Sequence, residues 1–318
     1  MKERYLIFGS GFIAEHYARH LLVRGAIVRI LFHRKKNPRL PASLQKKMPS
    51  HLSGIIRSLT EENPRYLILT QGISFIPDNE KELRKSVESN VISPTLVLEA
   101  VYQLQKQKKM PRLKKILTFG SAAEYGDSDT KRWTENERDT KPTSLYGLTK
   151  HWLFESSQFY ANLGVPCVHL RLFNTIGAGQ HPNFVVSSFA RQTAMIEREM
   201  QKRQLTVGDL NQKRDFVDIR DIVRACGLIL KRAKPGQVVN VCSGTTHSVR
   251  RVAEILRELS LVPFSLRKNP ALFTHKRTRN KELSGSPAWL RENGWKPRYD
   301  LRASVSWTLD YWRNELKK

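Results

Sequence analysis

Ser121, Tyr146 and Lys150 are the residues of this 318-residue chain whose types and spacing could move a proton. Tyr146 and Lys150, in Tyr146-Gly147-Leu148-Thr149-Lys150, stand four residues apart, so on a helix both side chains share one face and reach one pocket. A free phenol titrates near ~10 and is a poor base at neutral pH, whereas a neighbouring ammonium favours the phenolate. Lys150 is therefore expected to lower Tyr146 into the range of a working general acid or base. Ser121 ends the apolar run Lys115-Ile116-Leu117-Thr118-Phe119-Gly120, and its hydroxyl is expected to hold a substrate oxygen against Tyr146. Such a set suits a reaction in which a cofactor carries hydride and the protein handles the proton. Tyr-x-x-x-Lys alone is a short pattern that recurs by chance on helix surfaces, so its surroundings must decide.

The elements that would position it begin at the N-terminus. Tyr5-Leu6-Ile7-Phe8 reads as an apolar strand running into Gly9-Ser10-Gly11-Phe12-Ile13-Ala14, followed by a helical pattern to Gly25 and a second strand over 26–32. Strand, glycine turn, helix and strand form a dinucleotide-binding unit. Gly9 is expected to make the tight turn, Gly11 to let backbone approach a pyrophosphate, and Ala14 to allow close helix packing. Phe12 and Ile13, which open the helix, then lie beside the cofactor at the helix N-terminus. After the second strand comes His33-Arg34-Lys35-Lys36, with no carboxylate for a ribose 2′-hydroxyl. Cations there favour a 2′-phosphate, so Arg34 is expected to select NADP(H) over NAD(H).

Further strands are expected at 66–70, 115–119 and 165–171, with helices near 81–101 and 144–163 between them. This alternation predicts an α/β fold, a Rossmann-like doubly wound parallel sheet with a smaller C-terminal substrate-binding lobe. The dinucleotide-binding domain is placed at 1–171 and the substrate lobe at 172–318, with some segments returning to the first domain. Helices at 185–203, 219–232, 248–260 and 301–314 and a strand at 238–241 belong to the later part, and nothing is assigned between Asn37 and Pro64.

A 40% apolar composition marks a globular chain. It has no run of eighteen apolar residues and enters a strand without a cleavable leader, which implies a cytoplasmic protein and no membrane partner. Cys167, Cys226 and Cys242 show no metal-ligand spacing and read as buried thiols, so no metal is expected. The formal net charge is +26, with basic residues gathered at 33–39, 106–115, 198–203 and 275–281. No nucleic-acid motif accompanies the charge, so it is read as solvated faces and nucleic acid is not expected as a partner.

Ser121 four residues before Tyr125, the Tyr146 and Lys150 pair, Asn90 in Ser89-Asn90-Val91, Arg171-Leu172-Phe173-Asn174 and Arg214-Asp215-Phe216-Val217-Asp218 occur in one order. In these motifs the chain resembles the extended short-chain dehydrogenase/reductases that act on nucleotide sugars. Asn174 to Gln180, Phe184-Val185-Val186 and Phe189-Ala190-Arg191-Gln192 most resemble the branch that reduces GDP-4-keto-6-deoxymannose to a GDP-6-deoxyhexose. The resemblance implies Ser121, Tyr146 and Lys150 as catalytic residues and Asn90 among those at the cofactor. It also implies Asn174 and Arg214 at the sugar nucleotide's diphosphate, backbone near Val185 at its base, and a homodimer, while the residues themselves add Arg279 to the substrate cations and set Glu124, beside Tyr125, either at the hexose or on an exposed loop. A related 4,6-dehydratase would carry an acid where this chain has Ala122 and Ala123, so reduction, needing one proton donor, is expected. A nucleotide-sugar 4-epimerase with tightly bound NAD remains the alternative, and a degenerate basic RNA-binding or assembly protein is the alternative of another class.

Overall fold

A computed structural model describes residues 2–33, 35–74, 79–127, 132–137, 140–272 and 282–317. The first part of the chain runs β1 (Arg4–Phe8), α1 (Phe12–Val23), β2 (Ile27–Phe32), β3 (Gln45–Lys47), α2 (Leu52–Glu62) and β4 (Tyr66–Leu69). It continues with α3 (Glu80–Val87), α4 (Ser93–Lys106), β5 (Lys115–Ser121), α5 (Leu145–Asn162) and β6 (Cys167–Leu172). Then come β7 (Asn174–Ile176), α6 (Val185–Glu197), β8 (Gln204–Val207), β9 (Lys213–Asp218), α7 (Ile219–Arg232) and β10 (Val238–Val241). The last are β11 (Thr246–Ser248), α8 (Val249–Leu259), β12 (Ser265–Lys268), β13 (Glu282–Leu283), α9 (Ala288–Glu292) and α10 (Leu301–Glu315).

Two compact units result. The first comprises Met1–Gly126, Glu135–Leu172 and Val223–Asn240, and the second Asp127–Thr134, Phe173–Ile222 and Val241–Lys318. In the first, seven strands lie in the order β10-β6-β5-β4-β1-β2-β3, and the pairings of β1 with β2 and β4, β2 with β3, and β5 with β4 and β6 are all parallel. This is a doubly wound, Rossmann-like sheet whose order reverses between β1 and β4. Strands covered on both faces must be apolar throughout, which is why β4 (Tyr-Leu-Ile-Leu) is buried at all four positions. Leu6, Phe8, Leu67 and Leu69 pack with Ile55 and Leu59 of α2 and Val97, Leu98 and Val101 of α4 in one core. Each such side chain contributes about 1.5–3 kcal/mol of burial.

In the second unit β9 pairs in parallel with β7 and β13 and antiparallel with β11, and β8 pairs with β12. Its core joins Phe189 and Ala190 of α6, Val252 and Leu256 of α8, and Val305 and Leu309 of α10.

The sequence left 37–64 without an element, yet β3 and α2 lie there. Gly54 and the β-branched Ile55, Ile56 and Thr60 weaken the local helix signal, and tertiary burial of Ile55 and Leu59 overrides it. The helix expected over 81–101 is interrupted by a π segment at Glu88–Ile92. The helix expected to run to Arg203 stops at Glu197. Lys115, counted among the basic clusters, is buried instead. Its ammonium donates to the carbonyls of Ile229, Leu230 and Ala233 and so closes the C-terminus of α7. Cys167, Cys226 and Cys242 are free and buried. Among the described residues, no helix is long and apolar enough to cross a membrane.

Candidate active site

At the reversal of strand order, β1 ends at Phe8 and β4 at Leu69, and the residues just beyond form the first half of the site. Gly9 has φ +104°, and a Cβ on it would stand 2.8 Å from Thr70 Oγ1 and 2.9 Å from the Gln71 nitrogen. Only glycine fits this turn. Gly11 precedes α1 with no side-chain cap, and a Cβ there would meet open space, so the first N–H groups of α1, at Phe12, Ile13 and Ala14, face no protein acceptor. Ala14 is fully buried, as close packing of α1 requires. Ser10 Oγ donates to the Lys35 carbonyl at 2.8 Å and Asn37 Nδ2 to the Ser10 carbonyl at 3.1 Å, which ties the basic loop after β2 to the glycine turn. Arg34 lies outside the described residues. Gln71, one residue from Thr70, is 5% exposed, yet neither its amide oxygen nor its nitrogen has a partner. An open helix N-terminus, a turn that admits no Cβ and an orphaned amide fit a dinucleotide at this position.

The second half is the proton-transfer corner at the end of β5. Ser144 caps α5 by accepting the Gly147 N–H at 3.1 Å. A Cβ on Gly147 would stand 2.4 Å from the Ala123 carbonyl oxygen, so the glycine after Tyr146 lets α5 close onto the turn that follows Ser121. The Tyr146 phenol thereby lies near the Ser121 hydroxyl, which acts on its ionisation. Lys150, 5% exposed, donates to the Phe119 carbonyl at 2.7 Å.

The expected tuning of Tyr146 by Lys150 is corrected. Burial pushes the phenol up to about 12, with the neighbouring Ser121 hydroxyl acting against this and the Glu124 charge reinforcing it. Burial also brings the Lys150 ammonium down to about 8, against the favourable charge of Glu124. Desolvation decides here, so at neutral pH the phenol holds its proton and is equipped to donate it.

Two further residues are bonded inside the protein. Asn90 is fully buried, accepts the Ile73 N–H at 2.6 Å, and donates to the Ile73 carbonyl and to Thr149 Oγ1, both at 2.9 Å. The π turn, one residue wider than an α turn, carries it there. Glu124 is not on an exposed loop: it is 0% exposed and bound to Ser121, His169 and Arg171. Burial works to raise its carboxyl, but His169 and Arg171 more than offset this and hold it below the usual carboxylate range. Breaking such a buried pair by removing one partner costs about 3–5 kcal/mol.

Asn174, Val185 and Arg214 belong to the second unit. The parallel register pairs Asn174 with Phe216, which puts Asn174 on the same face of the strand pair as Arg214. Asn174 Oδ1 is buried without a partner. Arg214 donates to Gln212 Oε1 and the Lys213 carbonyl, both at 2.8 Å, and burial lowers it against the attraction of Asp209 and Asp127. The neighbouring acids are engaged elsewhere. Asp215 accepts from Ser243 and Gly244, and Asp218 caps α7 and pairs with Arg220. Val185 opens α6 and packs on the core of the second unit. Arg279 lies outside the described residues.

The family model described as the NAD dependent epimerase/dehydratase family matches residues 5–242. The chain belongs to that family. Members of this epimerase/dehydratase family to which it is similar include the GDP-6-deoxy-D-mannose reductase of Pseudomonas aeruginosa, 26% identical over the whole of both chains. The solved RMD of Pseudomonas aeruginosa complexed with NADPH matches 99% of this chain and 100% of its own, with a TM-score of 0.81 and 24% identity. The UDP-glucose 4-epimerase of Thermus thermophilus complexed with NAD matches 98% of this chain and 99% of its own, with a TM-score of 0.79 and 23% identity. The chain is thus an enzyme of a nicotinamide-dependent family that works on nucleotide sugars. Sequence reasoning named Ser121, Tyr146 and Lys150, which the structure places at the end of β5 and on α5. It passed over Gln71, a polar residue in an apolar context, and Gly147, whose need is visible only from the carbonyl beside it.

Proposed function

We propose that this enzyme reduces a nucleotide-linked 4-keto-6-deoxyhexose, with GDP-4-keto-6-deoxymannose as substrate and a GDP-6-deoxyhexose as product. What carries the reading is the Tyr146 phenol near the Ser121 hydroxyl, its pKa raised by burial so that it can donate a proton, with Ala122 and Ala123 where a dehydratase would need an acid. A bound nicotinamide supplies the hydride. Ser121 holds the C4 oxygen by its hydroxyl, Tyr146 delivers a proton to that oxygen as negative charge develops, and Lys150 places a positive charge beside both. Burial keeps that proton on the phenol until an oxyanion forms. Asn174 Oδ1 and Arg214 are assigned to the sugar nucleotide, the cation for its diphosphate and the amide for a neighbouring hydroxyl.

NADP(H) is the preferred cofactor and NAD(H) the lesser one, a choice supported by the basic loop that Ser10 and Asn37 tie to the glycine turn. The enzyme works in the cytoplasm as a homodimer through α4 and α5. Ile92, at 44% exposure, together with Trp152 at 40% and Phe159 at 59% seven residues apart on α5, supports that face.

The test is NADPH oxidation with GDP-4-keto-6-deoxymannose generated in situ, against the UDP and dTDP keto sugars. Turnover with the GDP sugar alone is the expected result. No NADPH oxidation with any keto sugar, together with NAD-dependent interconversion of 4-epimers, would replace reduction by epimerisation.

A further inference from the structure

Behind Ser121 lies a set of buried charges that the proposed reduction does not employ. Glu124 Oε1 accepts the Ser121 N–H at 2.6 Å, while the Ser121 hydroxyl oxygen accepts the Ala123 N–H at 3.1 Å. This reciprocal capping box fixes the direction of the Ser121 side chain. The carboxylate's remaining bonds run inward. His169 Nε2 is 3.1 and 3.2 Å from its two oxygens, and Arg171 Nε donates to Oε2 at 2.9 Å. Thr118 Oγ1 stands 2.9 Å from His169 Nδ1, and Ser157 Oγ of α5 stands 2.9 Å from Thr118 Oγ1.

One assignment of protons satisfies the whole row. Ser157 donates to Thr118, Thr118 donates to Nδ1, and His169, kept neutral by burial, donates from Nε2 to Glu124. Arg171 supplies the compensating charge, its guanidinium 4.5 Å from the Tyr125 ring centre and 4.7 Å from that of Phe154. The Tyr125 hydroxyl donates to Asn240 Oδ1 at 2.7 Å and anchors that ring. The row begins on the helix that carries Tyr146 and Lys150 and ends on the backbone of Ser121, so the three reacting groups share one frame. A turn needed only for packing would have no use for an ionised group whose desolvation must be compensated by two partners.

We propose that Glu124 is a positioning residue for the proton transfer, fixing the Ser121 hydroxyl through the turn that both residues close and setting a negative charge against Tyr146 and Lys150. The inference rests on the reading of Tyr146 as proton donor. A carboxylate so placed discourages ionisation of the phenol and favours the ammonium, so both groups keep their protons at neutral pH. The charged and titratable groups around them are Glu124 from the turn after β5, Lys150 from α5, and His169 and Arg171 from β6.

Two readouts on the full chain with Glu124→Gln test this. The first is the titration of the Lys150 ε-carbon by NMR in lysine-labelled protein, its signal identified by its absence in Lys150→Arg. The midpoint, which lies near pH 8 in the parent, should fall by about one unit, the size of a single charge at close range in a partly screened interior. The second is turnover. kcat should fall ~10- to 100-fold with both KM values within about threefold, the signature of misplaced groups and not of lost binding. An unmoved midpoint overturns the electrostatic half, and an unmoved kcat overturns the positioning half.

If circular dichroism shows that the Gln variant does not fold, Glu124→Asp decides, since it keeps the charge but falls a methylene short of the Ser121 N–H. Its midpoint should match the parent with kcat down about tenfold, and a parental kcat overturns the proposal. Should the parent turn over no keto sugar, the proposed function fails by itself, while the Lys150 midpoint, read without any substrate, still judges the role of Glu124.

Discussion

The corner at Ser121 and the corner at Gly9 are built on opposite principles. At Ser121 the ionised groups are held by partners: Glu124 is bonded to Ser121, His169 and Arg171, and Lys150 to a backbone carbonyl, although Arg171 Nη1 is left unsatisfied. At Gly9 the structure leaves hydrogen bonds unmade, in the uncapped start of α1 and in both ends of the Gln71 amide. Groups that must act on a reacting atom are held in place in advance, because misplacement costs rate. Groups that receive a large ligand are left unsatisfied, so that the ligand supplies the missing partners.

This contrast can be broken from either side. The largest effect belongs to Tyr146→Phe, which removes only the proton donor. kcat should fall on the order of 10³-fold, within the range for loss of a general acid, while NADPH affinity measured by fluorescence stays within about twofold. A parental rate would take Tyr146 out of the reaction. Gly9→Ala attacks the other corner by forcing a side chain into φ +104° and against Thr70 and Gln71. It should weaken NADPH binding at least tenfold and lower the melting temperature, since such strain costs about 1–3 kcal/mol.

Lys150 links the comparison to pH. Its ammonium, lowered to about 8 by burial, is charged below that pH and neutral above it. The rate of keto-sugar reduction should therefore fall about tenfold per pH unit above 8, while the phenol, at about 12, stays protonated throughout. Lys150→Met should remove that limb from the profile. The smallest effect is also the most discriminating. Gln71→Met replaces an orphaned amide by an apolar chain of similar size, so the free protein should gain about 1 kcal/mol in denaturant titration while NADPH binds about three- to tenfold more weakly. A loss of stability with unchanged cofactor affinity would show that the amide serves the fold.

Much of this was legible in the sequence, for reasons that differ by element. Buried parallel strands such as β1, β4 and β5 announce themselves as unbroken apolar runs, and the glycine turn and Tyr-x-x-x-Lys are local patterns whose meaning lies in their spacing. α2 was missed because its helical propensity is poor and its stability comes from burial against α4. The charge states of Tyr146 and Lys150 could not be read because desolvation depends on what surrounds a group in space. Glu124 was left between a sugar and an exposed loop for the same reason. Nothing in Ala-Ala-Glu-Tyr reveals that the acid turns inward to a histidine and an arginine from a strand 45 to 47 residues further on.

The sheet of the first unit is completed by β10, which arrives after the chain has made the Phe173–Ile222 stretch of the second unit and adds itself beside β6. The two units are therefore not severable at Leu172. A fragment ending there would leave β6, buried at all six positions, as a bare edge with its hydrogen-bonding groups turned outward, a template for pairing with other chains. The interleaved path of the chain makes the cofactor half depend on Val223–Asn240, a stretch synthesised only after Phe173–Ile222 of the other unit.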